Sequence, residues 1–156
     1  MVKRLSDLPE VEARHLSPER VQLPTYDDTP LLAGRELAER RVVIISTAGL
    51  HRRGDRPFQL GEGSYRLIPA ETAARELVMS HVSVNFDRTG FQQDHNVVFP
   101  LDRLHELAQD GVIGSVAAFH YAFMGATQPS QMEAAAHALA HLLTQDQVNA
   151  VCLVPV

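Results

Sequence analysis

PLDRLHELAQDGVIGSVAAF, residues 100–119, carries a helix with both ends legible and the strand that follows it. Pro100 stands near the first helical position, and Leu101, Leu104, Leu107 and Ala108 share one face. Gly111 falls just past the end, where a left-handed residue closes a helix. The run VIGSVAAF, residues 112–119, then reads as a buried strand whose small residues let helices approach.

Downstream the alternation repeats. Pro129, Ser130 and Glu133 read as a helix start with a capping box, and Met132, Ala136, Leu139 and Leu143 form its apolar face to about residue 143. VNAVCLVPV, residues 148–156, is an apolar β-forming run of the kind that fills the centre of a parallel sheet. Right-handed crossovers make the last two strands parallel neighbours. Upstream, the short helix GRELAER, residues 34–40, leads into RVVIIST, residues 41–47, the first core strand. The expected fold is therefore α/β, a three-layer sandwich with a mostly parallel central sheet of Rossmann or flavodoxin-like kind. ETAARELVM, residues 71–79, has helical character, while HVSVNF (81–86) and NVVF (96–99) read as short strands.

The chain has 156 residues, enough for one hydrophobic core, with 45% hydrophobic and 21% charged residues. A net charge of −5 argues against a nucleic-acid surface, which needs clustered Lys and Arg. The lone cysteine, Cys152, excludes an internal disulfide and a multi-thiolate metal site, and is expected to be buried and inert. No signal peptide and no membrane-length apolar run is present, so a cytoplasmic protein that binds no membrane is expected. Pro9, Pro18, Pro24 and Pro30 break residues 1–33 into a Pro-rich N-terminal arm, leaving 34–156 as a single α/β domain.

Ligands in parallel sheets gather beyond the carboxyl ends of the strands. Three segments are expected there: the loop after Thr47, the HYAFMGA turn (120–126) and whatever follows Val156. In STAGLHRRGDRPF, residues 46–58, Arg52 and Arg53 can hold a carboxylate or phosphate, or one of them can simply pair with Asp55. Its glycine spacing fits neither a Walker nor a dinucleotide fingerprint. In SHVSVNFDRTGFQQDHN, residues 80–96, alternation puts His81, Ser83 and Asn85 on one face, as the wet side of an edge strand or a site wall. Asp87 and Asp94 with His81 or His95 have a weak metal-ligand pattern, and no metal is expected. His120 and Tyr121 end a buried strand at the expected active edge, where His120 is either an acid–base group or a histidine bonded to backbone. His137 and His141 have the i, i+4 spacing of a metal clamp but lie opposite the apolar stripe, as exposed histidines would.

These strings together resemble a known family. SHVSVNFDRTGFQQDHNVVFPLDRLHELAQDGVIGSVAAFHYAFMG (80–125), STAGLHRRGDRPF and YRLIPAE (65–71), above all NVVFPLDRL and GVIGSV, are similar to the selenoprotein B family of glycine, sarcosine, betaine and D-proline reductases, in its short members. The resemblance spans roughly residue 41 to the end. It implies that the strand VNAVCLVPV runs into a redox motif of selenocysteine, sometimes cysteine, followed by cysteine, with a further helix and strand beyond. Selenocysteine is encoded by UGA, ordinarily read as stop. Val156 is then expected to precede the catalytic residue, leaving this chain incomplete at its C-terminus and without reductase activity of its own.

The resemblance further implies reductive cleavage of a substrate carbon–nitrogen bond together with a partner reductase subunit carrying a pyruvoyl group. No cofactor is expected in the chain itself beyond the selenocysteine of a full-length product. On that reading His81, Asp87 or His120 handle protons, and Arg52, Arg53, Asn85 and Tyr121 hold a small amino-acid-like or carboxylate substrate. A homo-oligomer is expected. Two other readings stand beside this one: a non-catalytic module whose arm and sheet edge dock a partner, and an anion-binding domain built on the GLHRRGD loop (49–55).

Overall fold

The computed structural model describes residues 5–15, 33–83 and 86–156. The chain divides into two units, Met1–Pro30 and Leu31–Val156. In the first, a 3-10 turn at Leu5–Asp7 precedes helix α1, Glu10–His15. The Ala13 amide donates to the Pro9 carbonyl at 2.9 Å, and Arg14 pairs with Glu10 one turn away at 3.0 Å. Residues 1–4 and 16–32 of the expected arm lie outside the described residues.

The second unit is mixed α/β. Its main sheet is built on β1 (Arg41–Ser46), with β3 (Arg66–Pro69), β5 (Ser115–Val116), β6 (Phe119–Ala122) and β7 (Ala150–Val154). A second sheet pairs β2 (Leu50–Arg52) with β4 (Leu77–Met79). Helices α2 (Thr89–Gln93), α3 (Leu101–Gln109) and α4 (Pro129–Gln145) complete it.

Strand β1 is central because its β-branched run serves two faces at once. Val42 and Ile44 pack with Leu101 and Leu104 of α3. Val43 packs with Tyr121 and Leu139, the latter from α4. Along its edges β1 pairs in parallel with β7 over Val42–Ser46 and with β5 and β6 in succession. Val42 faces both Val116 and Ala150, and Ile45 faces both Tyr121 and Leu153, so β5 and β6 share the edge opposite β7. Beyond β6, β3 adds an antiparallel edge with Ile68 opposite His120.

Several expectations change. The expected strand 112–119 is split by an interruption at Ala117 and Ala118. Register moves from Arg41 opposite Ser115 to Ile45 opposite Tyr121, so two extra residues sit on the β5–β6 side, a bulge. Ala117 still donates to the Val42 carbonyl at 2.9 Å, but the Ala118 amide turns to the Asp146 carboxylate at 2.9 Å. The last two strands are not neighbours, since β1 takes the place between them. Among the described residues β7 pairs with β1 alone and is an edge, with Val151 45% and Leu153 70% exposed.

Helical character in ETAARELVM is confined to the 3-10 turn Ala74–Glu76, and its Leu-Val-Met end becomes β4 by pairing with β2. HVSVNF forms no strand at its described positions, because Ser83 donates its amide back to His81 Nδ1 at 3.2 Å and curls the backbone. NVVF is not a strand either. Asp94 accepts the Asn96 amide at 2.9 Å and starts the 3-10 turn His95–Val97. GRELAER is reduced to a 3-10 turn at Leu37–Glu39. The capping box of α4 does not form: Pro129 takes the first turn, Gln128 becomes the N-cap, and Ser130 falls inside the helix. Ala136 is exposed, Met132 and Leu143 are half-buried, and Leu139 is buried. Helix α3 starts after Pro100 and closes at Gly111 in the left-handed conformation (φ 69°).

Candidate active site

The carboxyl ends of β1, β6 and β7 meet and are tied by backbone and hydroxyl bonds. The Thr47 amide donates to the Val154 carbonyl at 3.1 Å, extending the β1–β7 ladder by one residue. Thr47 Oγ1 accepts the Val156 amide at 2.8 Å and donates to the Val156 carbonyl at 3.3 Å. From β6, the Gly125 amide donates to the Thr47 carbonyl at 2.8 Å. A Cβ at Gly125 would stand 2.5 Å from the Val156 carbonyl oxygen and 2.9 Å from that of Thr47, so only glycine admits the three strand ends this closely. Below them the buried Ser46 hydroxyl donates to the Val98 carbonyl at 2.8 Å and accepts the Ala48 amide at 3.2 Å.

The next wall is the segment around His81. Gly49 adopts φ 65°, and a Cβ there would be 3.0 Å from His81 Cα and 3.1 Å from Met124 Cε. The Val82 amide donates to Met124 Sδ at 3.5 Å, joining this segment to the turn that holds Gly125. His81 is 5% exposed, with the Phe86 ring 4.9 Å away. Since its Nδ1 accepts from Ser83, the proton of the neutral ring sits on Nε2, which has no partner within the described structure. Burial, then the neighbouring Arg88 charge, hold His81 below the usual histidine pKa. Arg88 donates from one nitrogen to the His81 and Ser83 carbonyls and so pins the loop.

The expected site residues separate into three places. His81 lies at this edge, and Asp87 is exposed beside Arg88, accepting the Thr89 amide at 2.8 Å; the Thr89 hydroxyl first, and its amide second, lower the Asp87 pKa. His120 lies on the α3 face of the sheet, fully buried, and Tyr121 lies on the α4 face. Tyr121 meets Tyr65 edge-on at 5.2 Å, and burial raises its pKa, so its ring is a core element. Arg52 and Arg53 share an open cleft with Pro69, Glu71 and Arg75. Pro69 is in register with Phe119 at the start of β6, whereas Val156 meets Gly125 beyond its end. At least about 10 Å of strand therefore separates these arginines from Val156. Arg52 faces Asp55 at 3.5 Å. Asn85 lies outside the described residues.

Asp94, His95 and Asp102 border a second open cleft of about 760 Å³, with His95 3.5 Å from Asp102. His137 and His141 are exposed on α4, beside Glu133 (3.9 Å) and Gln145 (3.2 Å) respectively. Cys152 is half-buried on β7. Among the described residues no group of three or more His, Cys, Asp or Glu is placed to hold a metal ion, and no helix is long and apolar enough to cross a membrane.

Sequence reasoning missed four residues. Thr47 and Gly125 were visible only as members of a converging set of loops, and Arg88 was passed over for the doublet Arg52–Arg53. The fourth, Glu62, organises the glycine-rich loop: its carboxylate accepts from Arg56 (2.5 Å), Arg66 (2.8 Å), Ser64 (2.6 Å) and the Gln59 amide (3.0 Å). These donors bring its pKa down to about 2 against the opposing effect of burial. The Glu62 carbonyl accepts from Thr127 at 3.0 Å, and Gly63 lies flat against the first turn of α4, where a Cβ would be 2.0 Å from the Gln131 carbonyl. Two arginines, Arg56 and Arg66, around one acidic residue with glycines on either side were the available signal.

Comparison with known proteins bears on what this edge does. Residues 63–156 match the family model of glycine/sarcosine/betaine reductase selenoprotein B. The D-proline reductase subunit gamma of Acetoanaerobium sticklandii is 31% identical over 122 residues, covering 76% of this chain and 50% of that protein. The chain thus spans about half the length of the curated relative it matches. No solved structure matches the chain.

Proposed function

The chain belongs to the glycine/sarcosine/betaine reductase selenoprotein B family, and on that premise we propose that it is a component of an amino-acid reductase whose redox residue follows Val156. The observation that carries this reading is the clamp on β7: Thr47 and Gly125 hold Val156 at the carboxyl edge of the sheet, a few contacts from the buried His81, whose Nε2 has no partner among the described residues. On a three-layer, Rossmann or flavodoxin-like core, a residue leaving β7 there is exposed to substrate yet held by a rigid strand. The residues present fit a selenocysteine or cysteine at that place. Such a residue supplies a nucleophile ionised at neutral pH for attack on the carbon of a carbon–nitrogen bond.

The chain's own residues then orient and hold. The Thr47 hydroxyl, engaging both amide and carbonyl of Val156, fixes the direction in which the chain leaves the sheet. His81, neutral with its proton on Nε2, is suited to donate a hydrogen bond to a polar group of the substrate rather than to transfer a proton. Glycine, sarcosine, betaine and D-proline type substrates all fit this chemistry. A pyruvoyl-bearing partner subunit is the proposed second component, and Val151 and Leu153 on the open β7 edge offer an apolar surface for docking it. The same edge also suits a purely non-catalytic docking module.

The test begins with the codon after Val156. UGA followed by an open frame with a nearby cysteine supports the reading, and UAA or UAG overturns it. A positive result is followed by producing the longer protein with cysteine at the recoded position and assaying amine release from the four substrates with the partner subunit.

A further inference from the structure

Building on the reductase reading above, we infer that Arg88 binds the substrate's carboxylate at the β7 edge, in the role that sequence alone gave to Arg52 and Arg53. Several arginines of the second unit face carboxylates: Arg41 meets Asp146, Arg56 and Arg66 share Glu62, and Arg103 meets Glu106, whereas Arg40 and Arg53 donate to backbone carbonyls. Among the described residues no carboxylate pairs with Arg88, although Asp87 is its neighbour in sequence, because Asp87 accepts from Thr89 instead. Only Nη2 of Arg88 is engaged, by the carbonyls of His81 and Ser83. Its Nε and Nη1 donors have no protein acceptor among the described residues.

That arrangement suits an anion site. A guanidinium held through one nitrogen has already lost much of its rotational freedom, so less is lost when a ligand binds. Its remaining donors meet a carboxylate by charge-assisted hydrogen bonds. The adjoining His81 is neutral with its proton on Nε2, so the same loop carries a tethered cation and a histidine N–H. Arg53 is also without a carboxylate, but it lies in the cleft beside Pro69, away from Val156.

The experiment is an NMR titration of the isotope-labelled chain with acetate, glycine and glycinamide at constant ionic strength, following the Arg88 Nε–H and His81 ring signals. Acetate and glycine are expected to shift both signals saturably in the millimolar range, as a single-arginine site implies, while glycinamide, lacking the carboxylate, leaves them in place. Arg88→Gln should weaken binding by at least about tenfold, and Arg53→Gln by less than about twofold. Arg88→Lys, which keeps the charge, serves as a second variant should Arg88→Gln not fold, and is expected to retain binding weakened severalfold. Unchanged binding in Arg88→Gln, saturation at Arg53 in place of Arg88, or no saturable shift overturns the inference. A UAA or UAG codon after Val156 would remove the reductase reading without altering the titration, and a failed titration beside a UGA codon would remove Arg88 alone.

Discussion

His120 Nδ1 lies 2.9 Å from the backbone nitrogen of Ile44 and accepts its proton, so a side chain stands in the ladder between two parallel strands. The bulge at Ala117 and Ala118 explains it. With two extra residues on the β6 side, a backbone carbonyl no longer lines up with the Ile44 amide, and a buried amide left without an acceptor would cost about 1–3 kcal/mol. The ring of His120 fills the gap, edge-on to Phe99 at 5.8 Å. This bond requires a bare Nδ1, so the proton is on Nε2 and the ring is neutral.

Burial first, and the charges of His105 and Arg41 after it, push the pKa of His120 down to about 4 from 6.5. In this range the unfolded chain binds more protons than the folded one, so stability rises with pH. His120's contribution is complete above pH 6.5 and is lost as pH falls toward 4. Urea unfolding between pH 7 and pH 4 should show a loss of about 3 kcal/mol from this residue. His120→Asn offers an oxygen near the Nδ1 position and cannot titrate, and should remove most of that slope. An unchanged slope in the variant would assign the acid sensitivity elsewhere.

The bulge marks the limit of what the sequence shows. The helix over residues 101–109, its closure at Gly111 and the strand at 41–46 were legible because each is written in local periodicity, proline and glycine. The split of 112–119, the conversion of Leu77–Met79 to a strand and the edge position of β7 are set by pairing between distant segments, which local pattern does not encode. The site divides the same way. That the loops after β1, β6 and β7 converge follows from parallel topology. Arg52 and Arg53 leave the edge because β2 turns away after Gly49 at positive φ, a conformation two further glycines in the loop share and so do not single out.

Arg41 and Asp146 brace the bulge from the opposite end of the sheet. Arg41 Nη2 meets Asp146 Oδ1 at 2.6 Å, its Nη1 donates to the Val116 carbonyl at 2.7 Å, and the other carboxylate oxygen takes the Ala118 amide. The pair is about one-quarter exposed, and removing one partner strands a charge and a backbone donor together. Asp146→Ala should cost about 2–4 kcal/mol by chemical denaturation, and Arg41→Ala should cost little more in the Asp146→Ala background. Additive losses in that double-mutant cycle would show the two residues act separately.

Glu62→Gln tests whether one carboxylate orders the loop from Arg56 to Arg66. Glutamine keeps the shape but withdraws the charge from two guanidinium groups, one of which, Arg66, also lies 4.2 Å from the Phe58 ring. Limited trypsin digestion should cut after Arg66 several times faster in the variant, with the global unfolding midpoint moving little, while Arg56 stays resistant because Pro57 follows it. In the unaltered protein, Glu62 gives stability that is complete above pH 4.5 and lost as pH falls toward about 2, so the loop should remain protected down to mildly acidic pH. Equal cleavage rates at neutral pH would show that Gly63, flat against the first turn of α4, suffices to hold the loop.

Thr47, Gly125 and Val156 make the strongest claim about function, since they place whatever follows β7. A methyl at Gly125 meets two backbone oxygens with no room to yield, and the strain of such overpacking is about 1–3 kcal/mol. Of the three strands that meet there, β7 is the least able to resist, since among the described residues it pairs on one edge only. Gly125→Ala should therefore lift β7 before it unfolds the domain. Cys152, half-buried in the middle of β7, reports that locally through its rate of reaction with a disulfide reagent. We expect Gly125→Ala to raise that rate by about tenfold or more beyond what global unfolding allows, and Thr47→Val, which loses both bonds to Val156, to raise it severalfold. Thr47→Ser keeps the hydroxyl and should react like the unaltered chain. If all three variants label at the unaltered rate, the clamp does not govern the end of β7, and the placement of a redox residue there loses its structural support.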